Sequence, residues 1–135
     1  MRRFLGMLVL SACTVVSPNT PETKVVRTGD EFDLSPSQSA VVDSGALTLT
    51  FVKVNADSRC ATDVQCVWAG DVAAALMVGV AGGEKSATTI HTNIDPKNTI
   101  VGAYKVEVVN VKPAPHSGTT IPQDSYLITF RVTRQ

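Results

Sequence analysis

Three cysteines, Cys13, Cys60 and Cys66, carry the most distinctive chemistry in this sequence of 135 residues. A thiol can be acylated, can join a second thiol in a disulfide, or can bind a metal ion as a thiolate. The choice depends on the compartment that holds the chain and on the groups that lie near each thiol. The residues before Cys13 indicate the compartment. The spacing of Cys60 and Cys66 indicates which groups lie near those two thiols.

The twelve residues before Cys13 have the composition of a secretory signal peptide. Two arginines make a basic start, residues 4–10 are apolar, and two small residues precede the cysteine, which is the order that such signals share. The ending Leu10-Ser11-Ala12-Cys13 resembles the lipobox of bacterial lipoproteins, in which the cysteine is acylated and the chain is cut just before it. A buried strand over residues 4–9 is the alternative, but the basic start and the cysteine favour a signal.

The lipobox resemblance implies where the protein works. It implies a signal peptide over residues 1–12 and a mature chain that starts at Cys13, carries acyl chains such as palmitate there, and is held at the cell envelope by this lipid. Thr14, rather than an aspartate, follows the cysteine, which by resemblance to enterobacterial sorting favours the outer membrane in a source that has one. Residues 13–23 are polar and contain two prolines, so we predict a lipidated tether before one domain at 24–135.

Cys60 and Cys66 are then an even pair in an oxidising compartment, which favours a disulfide between them. The alternative is a two-thiolate metal site, but the two histidines, His91 and His116, both lie far away in the sequence. A bridge that closes about seven residues contributes roughly 2–2.5 kcal/mol to the free energy of unfolding. We therefore predict a structural disulfide that fixes the shape of one loop, with no metal ion and no cofactor.

The segment around this pair, residues 57–71, is the most distinctive constellation in the chain, and we call it the knuckle. Its sequence is DSRCATDVQCVWAGD, which includes the single tryptophan, Trp68. It resembles a motif of small, largely uncharacterised bacterial secreted proteins and lipoproteins: Asp-Ser-Arg-Cys-Pro, a few residues, Cys-Val/Ile-Trp-Ala-Gly, and then an apolar strand. Ala61 stands where that motif usually has proline. The resemblance marks a family and implies no activity.

Two interpretations of the knuckle remain open. A disulfide, a tryptophan and a glycine together usually form a folding device, in which Gly70 permits a bulge or a close backbone approach. Alternatively, Asp57, Arg59 and an edge of Trp68 form a recognition patch, since Arg and Trp are enriched in binding hot spots. We expect Trp68 to be mostly buried against the bridge and Arg59 to lie near the surface, so that a partner site would centre on Arg59 and residues 61–65.

The remaining polar residues show no catalytic pattern. His116 and Ser117 lie in a proline-flanked loop, but a Ser-His hydrolase also needs a third member and an oxyanion hole, and the G-x-S-x-G motif is absent. The 12 basic and 12 acidic side chains are scattered, without the basic stripe that nucleic-acid binding requires. We therefore predict no catalytic residues, no small-molecule ligand and no nucleic-acid partner.

The hydrophobic pattern of residues 24–135 predicts an all-β fold. Leu47, Leu49 and Phe51 alternate with threonines, as in a strand with one buried face. Short runs of this kind recur between turn signals, and they suggest seven or eight strands. Such spacing is typical of a single antiparallel β-sandwich or barrel.

Three details of this pattern concern individual strands. Residues 72–78 are the most apolar segment, and their valines together with the two glycines at 82–83 favour a central strand that enters a hairpin with residues 85–91. A helix over residues 73–77 is the alternative, because Ala, Leu and Met favour helices. The alternation after Tyr104 changes parity, which predicts a bulge near residues 109–110.

Together these features predict a cell-envelope lipoprotein that acts as a non-enzymatic binding or structural module, with an unknown target. One alternative is an inhibitor that inserts the disulfide loop, residues 57–68, into an envelope or foreign enzyme. A second alternative is a small hydrolase whose motif is not recognisable in the sequence.

Overall fold

A computed structural model describes residues 21–135, which form nine strands. The predicted signal peptide, the lipidation residue Cys13 and most of the predicted tether lie outside the described residues. The strands are β1 (Thr23–Val26), β2 (Glu31–Leu34), β3 (Ser39–Val42), β4 (Leu47–Asp57), β5 (Val72–Val80), β6 (Ser86–His91), β7 (Asn98–Val101), β8 (Tyr104–Lys112) and β9 (Leu127–Arg134).

The strands form two sheets, in the orders β1-β3-β4-β5-β6 and β2-β9-β8-β7. Neighbouring strands are antiparallel, except that β1 runs parallel to β3. The sheets pack on each other around one core, in which the rings of Phe51 and Phe130 meet edge to face with centroids 5.8 Å apart. The predicted all-β class is confirmed, and the architecture is a sandwich.

The apolar pattern placed the central strands correctly. Leu47, Leu49 and Phe51 are fully buried. The segment at Val72–Val80 is extended throughout and pairs on both edges, with β4 and with β6, so the helix alternative is wrong. Pairing on both edges and burial of most of its side chains outweigh the helix preference of its alanines. The predicted bulge is also present, as a register shift between Val108 and Asn110.

Helical structure in the described residues consists of two 3-10 turns, Asp43–Gly45 and Gln123–Ser125. No helix in this part of the chain is long and apolar enough to cross a membrane. The second turn supports β4, because the Gln123 amide accepts a hydrogen bond from the Val54 backbone N–H (3.1 Å) and donates one to its carbonyl (2.7 Å). A register shift of β4 follows, between Val54 and Ala56, which the sequence analysis did not predict.

Three long loops gather at one end of the sandwich, which we call the knuckle end. The knuckle connects the end of β4 to the start of β5, and the loop 92–97 follows the end of β6, which lies beside that start. The loop 113–126 follows β8 in the other sheet, and a backbone hydrogen bond from the Thr62 N–H to the Pro115 carbonyl joins it to the knuckle. The loops of both sheets therefore build one continuous surface.

Candidate functional site

The knuckle is closed twice, by the predicted disulfide and by hydrogen bonds at its base. Cys60 and Cys66 are joined, with their Cα atoms 5.9 Å apart. Below them, the Ser58 backbone N–H donates to the Asp71 carbonyl (2.8 Å), and the Asp71 N–H donates to the Ser58 hydroxyl (3.1 Å). The predicted disulfide is confirmed, and the ends of the knuckle are held together independently of it.

Arg59 fastens the knuckle to the sandwich. Its guanidinium donates to both carboxylate oxygens of Asp57, at 2.9 and 2.7 Å. It also donates to the backbone carbonyls of Val111 (3.0 Å) and Pro113 (2.9 Å) in the other sheet. The side chain is only 17% exposed. Arg59 thus lies near the surface, as expected, but its guanidinium donates to groups within the protein, so its hydrogen bonds support the fold and a partner site centred on it stays a prediction.

Asp57 is the acceptor at the centre of this network. It also accepts hydrogen bonds from the Tyr126 hydroxyl (2.9 Å) and from the Arg59 backbone N–H (3.2 Å). Burial opposes ionisation of Asp57, but the hydrogen bonds from Arg59 and Tyr126 outweigh it and lower the pKa of the carboxyl. Burial, and then the carboxylate beside it, raise the pKa of Tyr126 to about 12. The Tyr126 phenol therefore stays protonated and donates to Asp57. The network consists of groups that satisfy one another, and it connects the knuckle to the sandwich.

A second group of contacts holds the knuckle against residues 113–117. The Thr62 backbone N–H donates to the Pro115 carbonyl at 3.0 Å. The Asp63 carboxylate accepts hydrogen bonds from the Ser117 hydroxyl and from the Ser117 backbone N–H, the latter at 3.0 Å. These bonds lower the pKa of Asp63. The two loops consequently lie side by side along one edge of the knuckle.

Asp63, His116 and Ser117 come together here, and the sequence analysis had not connected Asp63 with the other two. A catalytic relay places the imidazole between the hydroxyl and the carboxylate. In this protein the Ser117 hydroxyl donates directly to Asp63, and the His116 Nδ1 atom lies 3.4 Å from the same carboxylate. The imidazole is 66% exposed. The geometry is that of a clamp between two loops.

A groove of about 440 Å³ lies between β4 and the loop 113–126. Asp57, Arg59 and Tyr126 line it, and their polar atoms bond to each other and to the backbone. In residues 21–135 no buried side-chain nitrogen or oxygen lacks a hydrogen-bond partner. Small-molecule sites use a few polar groups that are free to orient the ligand, and those of Asp57, Arg59 and Tyr126 are engaged within the protein.

Gly70 permits two parts of the knuckle to cross in close contact. A Cβ atom at this position would lie 2.2 Å from the Arg59 Cα atom and 2.4 Å from the Ser58 carbonyl oxygen. These are backbone atoms that cannot turn away, so glycine is required here. The predicted close backbone approach at Gly70 is confirmed. The Asn93 amide donates to the Gly70 carbonyl, which adds the loop 92–97 to the assembly.

Asp71 secures that loop. Its carboxylate accepts hydrogen bonds from the backbone N–H groups of Thr92 (3.0 Å) and Asn93 (2.8 Å), and its second oxygen lies 2.7 Å from the His91 Nδ1 atom. Burial opposes ionisation, but the bonds from Asn93 and His91 prevail and lower the pKa of Asp71. The sequence analysis missed this role, and the only signal for it was the position of Asp71 directly before an apolar strand.

The tip of the knuckle, which we define as residues 64–69, lies in solvent. Val67 is 96% exposed, Trp68 is 63% exposed and Val64 is 48% exposed. The expectation that Trp68 packs against the bridge and the sheet is wrong, because the backbone crossing at Gly70 and the Arg59 network occupy the base of the knuckle. The tip sequence VQCVWA has no charged side chain. A rigid base thus presents an uncharged, largely apolar surface.

No family model, curated protein or solved structure matches this chain. Within residues 21–135, no three His, Cys, Asp or Glu side chains are grouped as ligands of a metal ion. The contacts and exposure of the knuckle are therefore the basis on which a function is proposed.

Proposed function

We propose that this protein is a cell-envelope lipoprotein, anchored through Cys13, that acts as a non-enzymatic binding or structural module. The exposed tip of the knuckle is the observation that carries the proposal. Trp68 and Val67 face water at the end of a disulfide-closed loop. Adjacent exposed apolar side chains often mark contact surfaces, and tryptophan is among the residues most enriched at binding hot spots.

The rigidity of the knuckle supports a binding role for its tip. Binding is weakened by the entropy lost when a flexible loop becomes ordered. Here the disulfide, the Arg59 network and the Ser58–Asp71 bonds already hold the loop in one shape. The tip therefore meets a partner with little further ordering, and the partly buried polar network serves as its support.

The anchor is supported by the lipobox resemblance of Leu10-Ser11-Ala12-Cys13. One acyl chain binds a membrane only marginally, and stable anchoring takes two signals. Mature lipoproteins, which the N-terminus resembles, typically carry two or three chains. A lipid of that kind would hold the domain at the membrane without a membrane-spanning segment.

Detergent partitioning tests the anchor directly. The wild-type protein, expressed from its own signal in a bacterium that processes lipoproteins, should enter the detergent phase, and the Cys13→Ala variant should stay in the aqueous phase. Mass spectrometry of the wild type should find an acylated N-terminal Cys13. Wild-type protein that remains aqueous, with an unmodified cysteine, would contradict the lipoprotein assignment.

Photo-crosslinking tests the tip. A photoreactive amino acid in place of Val67 should form crosslinks in intact cells. The matched control is the same amino acid in place of Ile100, a 55% exposed residue of β7, where we expect few crosslinks. Equal labelling at the two positions would show that the tip is not a preferred contact surface.

The inhibitor alternative is favoured by the same rigidity. Protease–inhibitor complexes form with little change in backbone shape, and a preorganised loop with protruding apolar side chains suits insertion into an enzyme cleft. If residues 57–68 act in this way, the protein crosslinked at position 67 is an enzyme. The purified wild type should lower its activity, and Val67→Ser should relieve that inhibition. An unchanged activity would exclude this alternative for that enzyme.

A further inference from the structure

We propose that the tip of the knuckle docks on the lipid–water interface of the membrane that holds the anchor, with Val67 and Trp68 entering the headgroup region. The proposal rests on the lipid anchor of the proposed function. Three observations support it: the direction from which the chain enters the sandwich, the length of chain between Cys13 and the first strand, and the composition of the tip.

The strand register shows that the chain enters the sandwich from the direction of the knuckle. Thr23, the first residue of β1, lies beside Ser39 in the parallel strand β3. Ser39 pairs with Thr50 in the antiparallel strand β4. From Thr50, β4 runs on to Asp57, where the knuckle begins. The N-terminal end of β1 therefore points towards the knuckle end of the domain.

The length of the preceding chain matches this geometry. Cys13 and Thr23 are ten positions apart in the sequence, and this length of chain spans at most about 33–36 Å when fully extended. Thr50 pairs with Met77 and Asp57 pairs with Val72, with two register shifts in β4 between them, so this stretch advances only five residues of β5, or about 17 Å, along the sandwich in the same direction. The difference of roughly 17 Å is the distance that the tether leaves for the knuckle between the end of β4 and the lipid. An anchor at Cys13 thus keeps the knuckle against the bilayer when this end faces it.

The composition of the tip fits a lipid–water interface. Tryptophan is enriched at that depth, because its ring is apolar and its indole N–H still finds a polar partner. The tip has no charged side chain, and the carboxylates of Asp63 and Asp71 on either side of it are engaged by donors within the protein. Ile94, 55% exposed in the loop that bonds to Gly70, adds an apolar side chain at the same end.

Because the lipid anchor keeps the tip close to the membrane, even weak insertion of Val67 and Trp68 is sufficient for docking. Two linked binding events reinforce each other, because the second occurs at a high effective concentration. The lipid supplies the first event, and a few exposed apolar side chains supply the second. Since the tip carries no basic residue, docking should depend little on salt or on anionic lipid, in contrast to electrostatic membrane binding.

Trp68 reports on the tip by itself, because it is the one tryptophan in the chain. The test uses full-length acylated protein, isolated from membranes and reconstituted into phosphatidylcholine vesicles. The reference is the Cys13→Ala variant in water without detergent. The Trp68 emission of the vesicle-bound protein should lie at shorter wavelength than that of this reference. Replacing part of the lipid with brominated phosphatidylcholine should then quench the emission, equally in low and in high salt.

A matched control moves the tryptophan to the other end of the domain. In the double variant Trp68→Phe, Ile100→Trp, the new indole lies on β7 opposite Lys105, about 20 Å along the sheet from the knuckle end. Its emission should be neither shifted nor quenched. A circular dichroism spectrum that matches the wild type confirms that the control variant is folded.

The outcomes separate the docking proposal from the proposed function. Protein that floats with the vesicles but keeps a solvated, unquenched Trp68 overturns docking and leaves the lipoprotein assignment in place. Protein that fails to float overturns both. A shift to shorter wavelength without quenching by brominated lipid overturns docking as well, because it shows that the indole contacts protein.

Discussion

At the residue scale, the ion pair of Arg59 and Asp57 determines where the knuckle sits. The pair joins the end of β4 to two backbone carbonyls of the opposite sheet. A planar guanidinium with several donors suits this task, because it bonds a carboxylate and carbonyl groups at once. The pair is partly buried, with its side chains 17% and 13% exposed, so removing one partner should cost less than about 3–5 kcal/mol, the cost for a fully buried pair.

The first prediction concerns the dependence of stability on pH. Because hydrogen bonding lowers the pKa of Asp57 in the folded protein, its stabilising contribution is complete above the ordinary aspartate pKa of about 3.9. That contribution is lost as the pH falls through the lower folded-state value. We expect Asp57→Asn to reduce the free energy of unfolding at pH 7 by about 2 kcal/mol and to flatten its decline below about pH 4.

Urea unfolding at a series of pH values measures both effects. The exposed Asp30 provides the control, and Asp30→Asn should change stability by no more than about 0.5 kcal/mol. If the free energy of unfolding of Asp57→Asn falls below about pH 4 as steeply as that of the wild type, Asp57 does not stabilise the folded protein through its lowered pKa.

The second prediction concerns Gly70. In Gly70→Ala the added methyl group would lie 2.2 Å from the Arg59 Cα atom, so the two loop segments that cross at Gly70 must move apart. We expect a loss of about 3 kcal/mol in the free energy of unfolding. Gly83→Ala is the control, because its methyl group would lie 3.1 Å from the Val80 Cγ2 atom and 3.4 Å from the Val80 carbonyl oxygen, and no neighbour comes as close as the Arg59 backbone does to position 70. Equal, small losses in the two variants would contradict the close approach.

At the element scale, the strands could be predicted from the sequence and the base of the knuckle could not. Burial on one face imposes a period of two, which is why the alternation at Leu47–Phe51 identified β4. No such pattern connects Arg59 to the carbonyls of Val111 and Pro113, because they lie more than fifty residues away and any residue supplies a carbonyl. The exposure of Trp68 follows from that network, so it was mispredicted for the same reason.

The disulfide itself could be predicted, since an even pair of cysteines only six positions apart in the sequence pairs readily in an oxidising compartment. The close approach at Gly70 could be predicted for a similar reason, because glycine is the residue that tolerates it. The orientation of the knuckle relative to the two sheets could not be predicted from the sequence. That orientation depends on contacts between distant segments, such as Asp63 with Ser117.

The third prediction concerns the bridge between Cys60 and Cys66. Peptide mapping without reduction should recover the two residues as one linked peptide. The double variant Cys60→Ser, Cys66→Ser should lose about 2–2.5 kcal/mol of stability and keep a β-type circular dichroism spectrum, because the Ser58–Asp71 and Arg59 contacts remain. A variant that is unfolded at 25 °C would show that these contacts do not hold the knuckle without the bridge.

At the scale of the whole molecule, the β-sandwich carries its three long loops at one end, the knuckle end. The three loops of the knuckle end are joined by hydrogen bonds to one another, and the core holds their strands in place. The chain enters from the same direction, because β1 is parallel to β3. With the proposed anchor at Cys13, this topology would turn the exposed tip of the knuckle towards the membrane.

The exposure of Trp68 is the claim on which the binding surface depends, and collisional quenching of its fluorescence by acrylamide tests it most directly. In the soluble Cys13→Ala protein we expect the native indole to be quenched nearly as efficiently as in the urea-unfolded chain, since 63% of the residue faces water. An indole that is protected in the native state and becomes accessible only on unfolding would contradict the account, because the knuckle would then be a folding device with no apolar surface to offer a partner.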